Sequence, residues 1–372
     1  MAVSRINEAG LNINQYGNRN LIINGAMQVA QRGTSATTSG YSTVDRFVCT
    51  FSGHDEAPTI AQHTLTSSDT GVYEKGFRES FHITNGNQTS GAGTADRLFM
   101  QYRIEAQDIA KSGWDYTSSS SNITLSFYCR SSVAQNFYGR LTTQDGTQQN
   151  YAFETGSLTA DTWTRITKTI PGNSSITIDD NNDIGLSVEI VMFRGTDTTD
   201  NSVPLNAWQT YSSSARMPDN TSTWYTTNDA TFEITGVQLE VGDTATDFEH
   251  RTFADELQRC RRYAYLVGKE NGKMFTSACF ARSGYLDLVY GPLPLLQELR
   301  ASPTLTYGGN IRGTNFTRGY STQTTTDLVT YDFGSTKLGG IRVTFASDWT
   351  AGDEVFIGDD DGTGFILLDA EL

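Results

Sequence analysis

The stretch Ile123-Thr124-Leu125-Ser126-Phe127-Tyr128-Cys129-Arg130 decides the fold class. In an extended chain Ile123, Leu125, Phe127 and Cys129 point one way, and Thr124, Ser126, Tyr128 and Arg130 point the other. That period of two is what a half-buried strand requires. The same alternation runs through residues 98–105, 162–170, 186–193 and 232–239, broken each time by Gly, Ser, Asn or Asp. Residues 137–141 and 151–154 flank Gln144-Asp145-Gly146-Thr147 and read as a hairpin. No helical period intervenes between these strands. Residues 20–250 are therefore expected to form a jelly-roll β-sandwich.

A different period appears after residue 250. Thr252 can cap a helix, Asp255 and Glu256 suit its first turn, and Arg259, Arg261 and Arg262 follow. Phe253, Leu257, Cys260, Ala264 and Val267 space 4-3-4-3 into one apolar stripe. Residues 251–267 thus read as a linking helix, too short to stand alone and expected to bury its stripe on the chain's own sheets or on the symmetry-related copies of a homotrimer. Strand patterns resume at 274–282, 285–290, 328–333, 341–345, 354–357 and 365–370. Pro292, Pro294 and Pro303 exclude a long helix between them. Residues 268–372 are expected to be a second, smaller β-sandwich, making the whole chain all-β. Residues 1–19 are polar and non-periodic, an expected attachment arm.

Composition removes several function classes. Lys and Arg number 27 against 42 Asp and Glu, a net charge of −15, so no nucleic-acid partner is expected. No apolar run approaches the ~20 residues of a membrane span, so no membrane insertion is expected. The first 20 residues lack the basic and apolar regions of a signal peptide. Cys49, Cys129, Cys260 and Cys279 lie far apart and read as reduced, buried thiols.

Motifs for chemistry are scarce. Phosphate-loop, nucleophile-elbow, zinc-protease and EF-hand patterns are absent. His54, His63, His82 and His250 show no ligand spacing, so no metal site is expected from them. Asp179-Asp180-Asn181-Asn182-Asp183 and Asp359-Asp360-Asp361-Gly362 offer either a structural calcium site or Asx-rich turns, the turns being preferred. No catalytic residue stands out, and the chain is not expected to be an enzyme or to need a cofactor. The informative anomaly is a polar stretch, 196–230, carrying Trp208, Tyr211, Trp224 and Tyr225. Such rings stack on sugar faces, cap the open end of the sandwich or sit at a subunit contact.

Several segments resemble bacteriophage tail-fibre and related virion proteins that carry a carbohydrate-binding-module-like jelly roll. They are Asn20-Leu21-Ile22-Ile23-Asn24-Gly25-Ala26-Met27 with Gln31-Arg32-Gly33-Thr34, and Asp45-Arg46-Phe47 after Tyr41. The most specific is Ile234-Thr235-Gly236-Val237-Gln238-Leu239-Glu240-Val241-Gly242, running on through Thr246-Asp247-Phe248-Glu249-His250-Arg251. The resemblance implies a non-enzymatic virion structural protein of short tail-fibre type, located on the virion. It also implies a homotrimer, virion partners engaged through the N-terminal arm, and a host cell-surface glycan as ligand. A head-fibre or capsid-decoration protein without receptor binding is the alternative, and a glycan-processing enzyme the third reading. No sugar contact transfers by position.

Overall fold

The computed structural model describes residues 18–269, 274–282, 285–315, 321–330, 338–351, 353–359 and 361–372. The expected arm (apart from Asn18 and Arg19), residues 331–333 of an expected strand, and Asp360 lie outside them. The described residues up to Phe253, with Leu372, form one compact unit, and Ala254–Glu371 form the other.

In the first unit the strands are β1 (Ser35–Ala36), β2 (Phe47–Ser52), β3 (Thr59–Thr64), β4 (Glu79–Thr84), β5 (Arg97–Glu105) and β6 (Asn122–Ser131). They continue with β7 (Asn136–Thr143), β8 (Gln149–Ser157), β9 (Thr164–Pro171), β10 (Ile184–Arg194), β11 (Trp208–Thr210) and β12 (Thr231–Val241). Two six-stranded sheets result, ordered β1-β3-β4-β12-β6-β9 and β11-β8-β7-β10-β5-β2. The chain passes from one sheet to the other at β1/β2, β2/β3, β4/β5, β5/β6, β6/β7, β8/β9, β9/β10 and β11/β12. That wrapping makes the sandwich a jelly roll, as the alternating pattern predicts.

The alternation places the core. Ile123, Leu125, Phe127 and Cys129 of β6 pack with Leu186, Val188 and Ile190 of β10 between the sheets. Tyr128 and Arg130 face outward on the first sheet, and Ser187, Glu189 and Val191 outward on the second. Cys49 and Cys129 are free thiols in this core, and burial pushes the Cys129 thiol up to about 12.

The resembling segments close one flank of the sandwich through buried polar groups. Asn20 Oδ1 accepts the N–H of Ile22 and of Leu239, each at 3.0 Å, and its Nδ2 donates to the Val237 carbonyl. Asn24 Nδ2 ties Val29 to Asp45 by their carbonyls. Arg46 is fully buried, and its guanidinium donates to the Arg103 carbonyl and lies over the Tyr102 ring. These motif residues hold backbone together.

Two short helices, α1 (Ala106–Ala110) and α2 (Thr223–Thr226), decorate the sandwich. The helix expected over residues 251–267 is corrected. Helix α3 covers only Phe253–Cys260, and Ala264–Gly268 is a strand, β13. Ala264 pairs with Asp369 and Val267 with Ile366, a partnership about 100 residues away that helical periodicity cannot register. The apolar stripe therefore ends at Cys260, with Phe253 56 % exposed.

After α3 the second unit is built of strands: β13, β14 (Met274–Arg282), β15 (Tyr285–Pro294), β16 (Thr304–Gly308), β17 (Ile311–Asn315), β18 (Ser321–Thr330), β19 (Leu338–Phe345), β20 (Glu354–Asp359) and β21 (Phe365–Asp369). A second sandwich was expected. Instead β14-β15-β19-β18-β17-β20 close into a barrel, with β13-β21-β16 as a three-stranded sheet. Closure pairs both edges of the barrel sheet, which an open sandwich would leave exposed. Val289, Ile311, Ile341, Val343, Val355 and Ile357 fill its core.

Candidate functional site

The polar stretch 196–230 does not present its four aromatic residues as a recognition surface. Trp224 and Tyr225 on α2 are 0 % and 1 % exposed and belong to the main core. Trp224 Nε1 donates to the Thr231 carbonyl at 2.9 Å, and its backbone N–H donates to Gln135 Oε1. The Tyr225 ring stacks on Phe193. They plug the end of the sandwich, so the sugar-stacking expectation is corrected for both. Trp208 sits on edge strand β11 with its indole N–H bonded to the Pro171 carbonyl at 2.7 Å. Tyr211 has the guanidinium groups of Arg140 and Arg216 over its ring, at 5.5 and 5.7 Å. Both rings are half-buried.

The loop after β10 covers the outer face of the second sheet. Val203 and Met217 pack on Phe99, Ala152 and Val191. On the same face lies a buried charge cluster in which Glu189 accepts from Arg140 Nε at 2.8 Å and from Arg194 Nη2 at 2.9 Å. Burial alone would raise the Glu189 carboxyl, but the charges of Arg140 and Arg194 outweigh it and bring it to about 2.

The two acidic stretches form hydrogen-bonded turns, the first through Asn181 Oδ1, which accepts the Asp183 N–H. Asp359 Oδ1 accepts the N–H of Asp361, Gly362 and Gly364. Asp180 pairs with Lys111 at 2.6 Å, and the Asp179 N–H bonds Asp145.

The outer face of the first sheet is the richer surface. Across β4, β12 and β6 the register aligns His82 with Glu233 and Glu233 with Arg130. Glu233 is 3 % exposed. Its Oε1 accepts from Arg130 Nη2 and Nε at 2.5 and 3.2 Å, and its Oε2 accepts from the Ser80 hydroxyl at 2.8 Å. Arg130 Nη1 reaches Asp69 at 2.9 Å, and its guanidinium lies 4.9 Å over the Trp163 ring. Burial opposes the Glu233 charge, yet His82, Arg130 and Ser80 together hold the carboxyl well below the usual range. At Asp69 burial is likewise outweighed, by the Thr66 N–H, Trp163 and Arg130.

One rung along, an aromatic cleft opens. A 3-10 turn at Tyr73–Lys75 ends on Gly76, at φ +94°, and turns Phe77 onto the sheet. Phe77 lies 5.6 Å from Tyr128, 5.0 Å from Phe248 and 5.1 Å from His250 between ring centroids. Room for it comes from a bulge in β12 between Thr235 and Gln238. There Gly236 has φ +64°, and a Cβ would sit 2.6 Å from the Phe77 ring. The His250 ring is held by Nε2 at 2.8 Å from the Lys75 carbonyl oxygen, which requires the proton on Nε2. Phe77 and Tyr128 form the buried floor, Phe248 is half-buried, and Lys75, Asp247 and His250 are an exposed polar rim. These six residues line about 260 Å³. That is just below the roughly 300–1,000 Å³ of sites for drug-sized molecules, and on the scale of one sugar ring. A second cleft of about 230 Å³, at Gly93, Thr94, Arg194 and Asn220, has Phe193 as its one aromatic lining residue.

Sequence reasoning missed this site, although it quoted Phe248 and His250 within the resembling block. Its signal is Gly236 inside a strand pattern, which marks a bulge or a close approach.

No family model matches the sequence, and no curated protein matches it significantly. Among solved structures it is similar to the enzymatically active domain of bacteriophage CBA120 tailspike protein 4, with 9 % identity and TM-score 0.30. That overlap covers 60 % of this chain and 22 % of the tailspike, about a fifth of its length. A sugar binding protein described as putative, from Bacteroides thetaiotaomicron, shares 12 % identity at TM-score 0.32, over 60 % of this chain and 100 % of that one. A family 11 carbohydrate-binding module of a Clostridium thermocellum cellulosomal cellulase shares 12 % identity at TM-score 0.27, over 59 % and 98 %.

Proposed function

We propose that this chain is a non-enzymatic virion protein of short tail-fibre type that binds host-surface glycan in the cleft of Phe77, Tyr128, Phe248 and His250. The observation carrying the glycan reading is the combination in that cleft of aromatic faces with a charged and hydrogen-bonding rim. Apolar C–H faces of a pyranose stack on rings, while its hydroxyls need donors and acceptors at the margin, here Lys75, Asp247 and His250. The virion assignment rests on the sequence resemblance at residues 20–34, 41–47 and 234–251. The homotrimer, and attachment to other virion proteins through residues 1–19, rest on that resemblance too. The helical stripe no longer argues for the trimer.

The charge state of the outer face favours binding over hydrolysis. Glycoside hydrolysis needs one carboxyl raised to act as a proton donor. Two carboxyls of this face, Glu233 and Asp69, are instead held ionised.

The test is adsorption of the purified full chain to host cells before and after periodate oxidation of their surface sugars. Loss of binding on oxidation, with no shortening of the polysaccharide on prolonged incubation, supports the proposal. Unchanged binding after oxidation removes the glycan, and chain shortening removes the non-enzymatic assignment.

A further inference from the structure

Beside the cleft, on the same outer face, three side chains from adjacent strands converge without helping to line it. His63 of β3, His82 of β4 and Glu233 of β12 bring ligand atoms to within 4.8 Å of one another. The register explains how. His82 stands directly opposite Glu233, and His63 stands opposite Ser80, one same-face position along β4 from His82. The sequence holds them 19 and 151 positions apart, which is why no ligand spacing is visible in it.

We propose that His63, His82 and Glu233 bind one zinc ion. Zinc takes imidazole nitrogen and carboxylate oxygen at about 2.0–2.2 Å in a tetrahedron, so ligand atoms on one ion stand ~3.3 Å apart. His63 Nδ1 lies 3.1 Å from Glu233 Oε2, and His82 Nδ1 lies 3.5 Å from Oε1. The first matches that edge; the second runs to the other carboxylate oxygen, and the ligand atoms of the three residues lie within 4.8 Å, so the side chains must draw together to share one ion. The donor set of two imidazoles and one carboxylate suits zinc over calcium or magnesium, which take oxygen.

The surroundings have the character of a supported metal site. Arg130 and Ser80 orient the Glu233 carboxylate, and the Thr84 hydroxyl lies 3.0 Å from His82 Nε2. Fixed outer partners of this kind hold ligands in place. His82 Nδ1 is buried, makes no close hydrogen bond and faces Glu233 Oε1 at 3.5 Å. The His63 side chain is 46 % exposed, which gives the ion a way in and leaves the fourth position to water. Arg130 repels a cation, but Asp69 at 2.9 Å offsets its charge. Bound there, the ion would clamp β3 and β4 to β12.

The experiment uses the untagged full chain, stripped with chelator and titrated with Zn²⁺ alone, then with Co²⁺ as a spectroscopic probe. One saturable ion per chain is expected, with the visible absorption of tetrahedral Co²⁺ and a higher melting temperature. His63→Ala, at an exposed position, should fold as the parent does and bind at least tenfold more weakly. His82→Ala should do the same, while His54→Ala keeps the parent's affinity. Absence of saturable binding, or binding that His63→Ala leaves unchanged, overturns the proposal and leaves a hydrogen-bonded pair at this position. The glycan reading survives either result, because none of the three residues lines the aromatic cleft.

Discussion

Phe193 and Tyr225 stack face to face, with ring centroids 4.5 Å apart and planes 15° from parallel. Phe193 lies one residue before the end of β10 and Tyr225 lies on α2, so the contact seals the long polar stretch onto the sandwich it follows. Trp224 beside it is wholly buried, with its N–H bonded to Thr231. Trp224→Ala should therefore cost about 3–5 kcal/mol of stability, by transfer and cavity terms together. Urea unfolding of the first unit is the measurement. A variant with parent stability and weakened glycan binding would return Trp224 to the ligand site.

The cluster around Glu189 predicts an acid limit. Its carboxyl falls from the usual 4.5 to about 2 in the folded chain, so its contribution is complete above pH 4.5. As pH falls below that value the unfolded chain binds the proton first, and the contribution is lost progressively down to pH 2. Glu189→Ala would leave Arg140 and Arg194 buried without their counter-charge, a loss of about 3–5 kcal/mol. Melting temperature followed from pH 6 to pH 2 checks both. A parent whose acid loss matches that of the variant would refute the assignment.

Gly236 couples backbone to cleft. Its φ of +64° strains any L residue, and a Cβ would meet Phe77 at 2.6 Å and Tyr128 at 3.1 Å. Gly236→Ala should destabilise by more than about 1 kcal/mol and weaken glycan binding through displaced rings. Denaturation and binding measured on the same sample test this. A stable variant with parent affinity would mean that the bulge does not shape the site.

The strands were legible because each reports its own burial. Ile123, Leu125, Phe127 and Cys129 alternate, and alternation survives whatever the partner strand is. What stayed hidden depends on distant partners. Ala264 and Val267 fit a helical stripe until Asp369 and Ile366 pair with them. His63 and His82 looked isolated until β3 paired with β4. Trp224 and Tyr225 looked like exposed rings because their neighbours in sequence are polar, while their neighbours in space are Phe137 and Phe193. The barrel likewise depends on β14 meeting β20, a closure that local pattern does not encode.

Oligomeric state is open to a direct reading. The proposed trimer should give a light-scattering mass near three times 40.8 kDa at micromolar concentration. A mass of one chain refutes it and leaves the glycan site unaffected.

The central claim is that the cleft beside the β12 bulge holds the sugar. Its most direct test is equilibrium binding of the full chain to purified host-surface polysaccharide, comparing the parent with Phe248→Ala, His250→Ala and Trp208→Ala. Ring stacking contributes on the order of 1 kcal/mol, so Phe248→Ala should weaken binding several-fold to tenfold. His250→Ala should act in the same direction, and Trp208→Ala should stay within about twofold of the parent. A doubly substituted Phe248→Ala, His250→Ala chain that binds as the parent does would contradict the account.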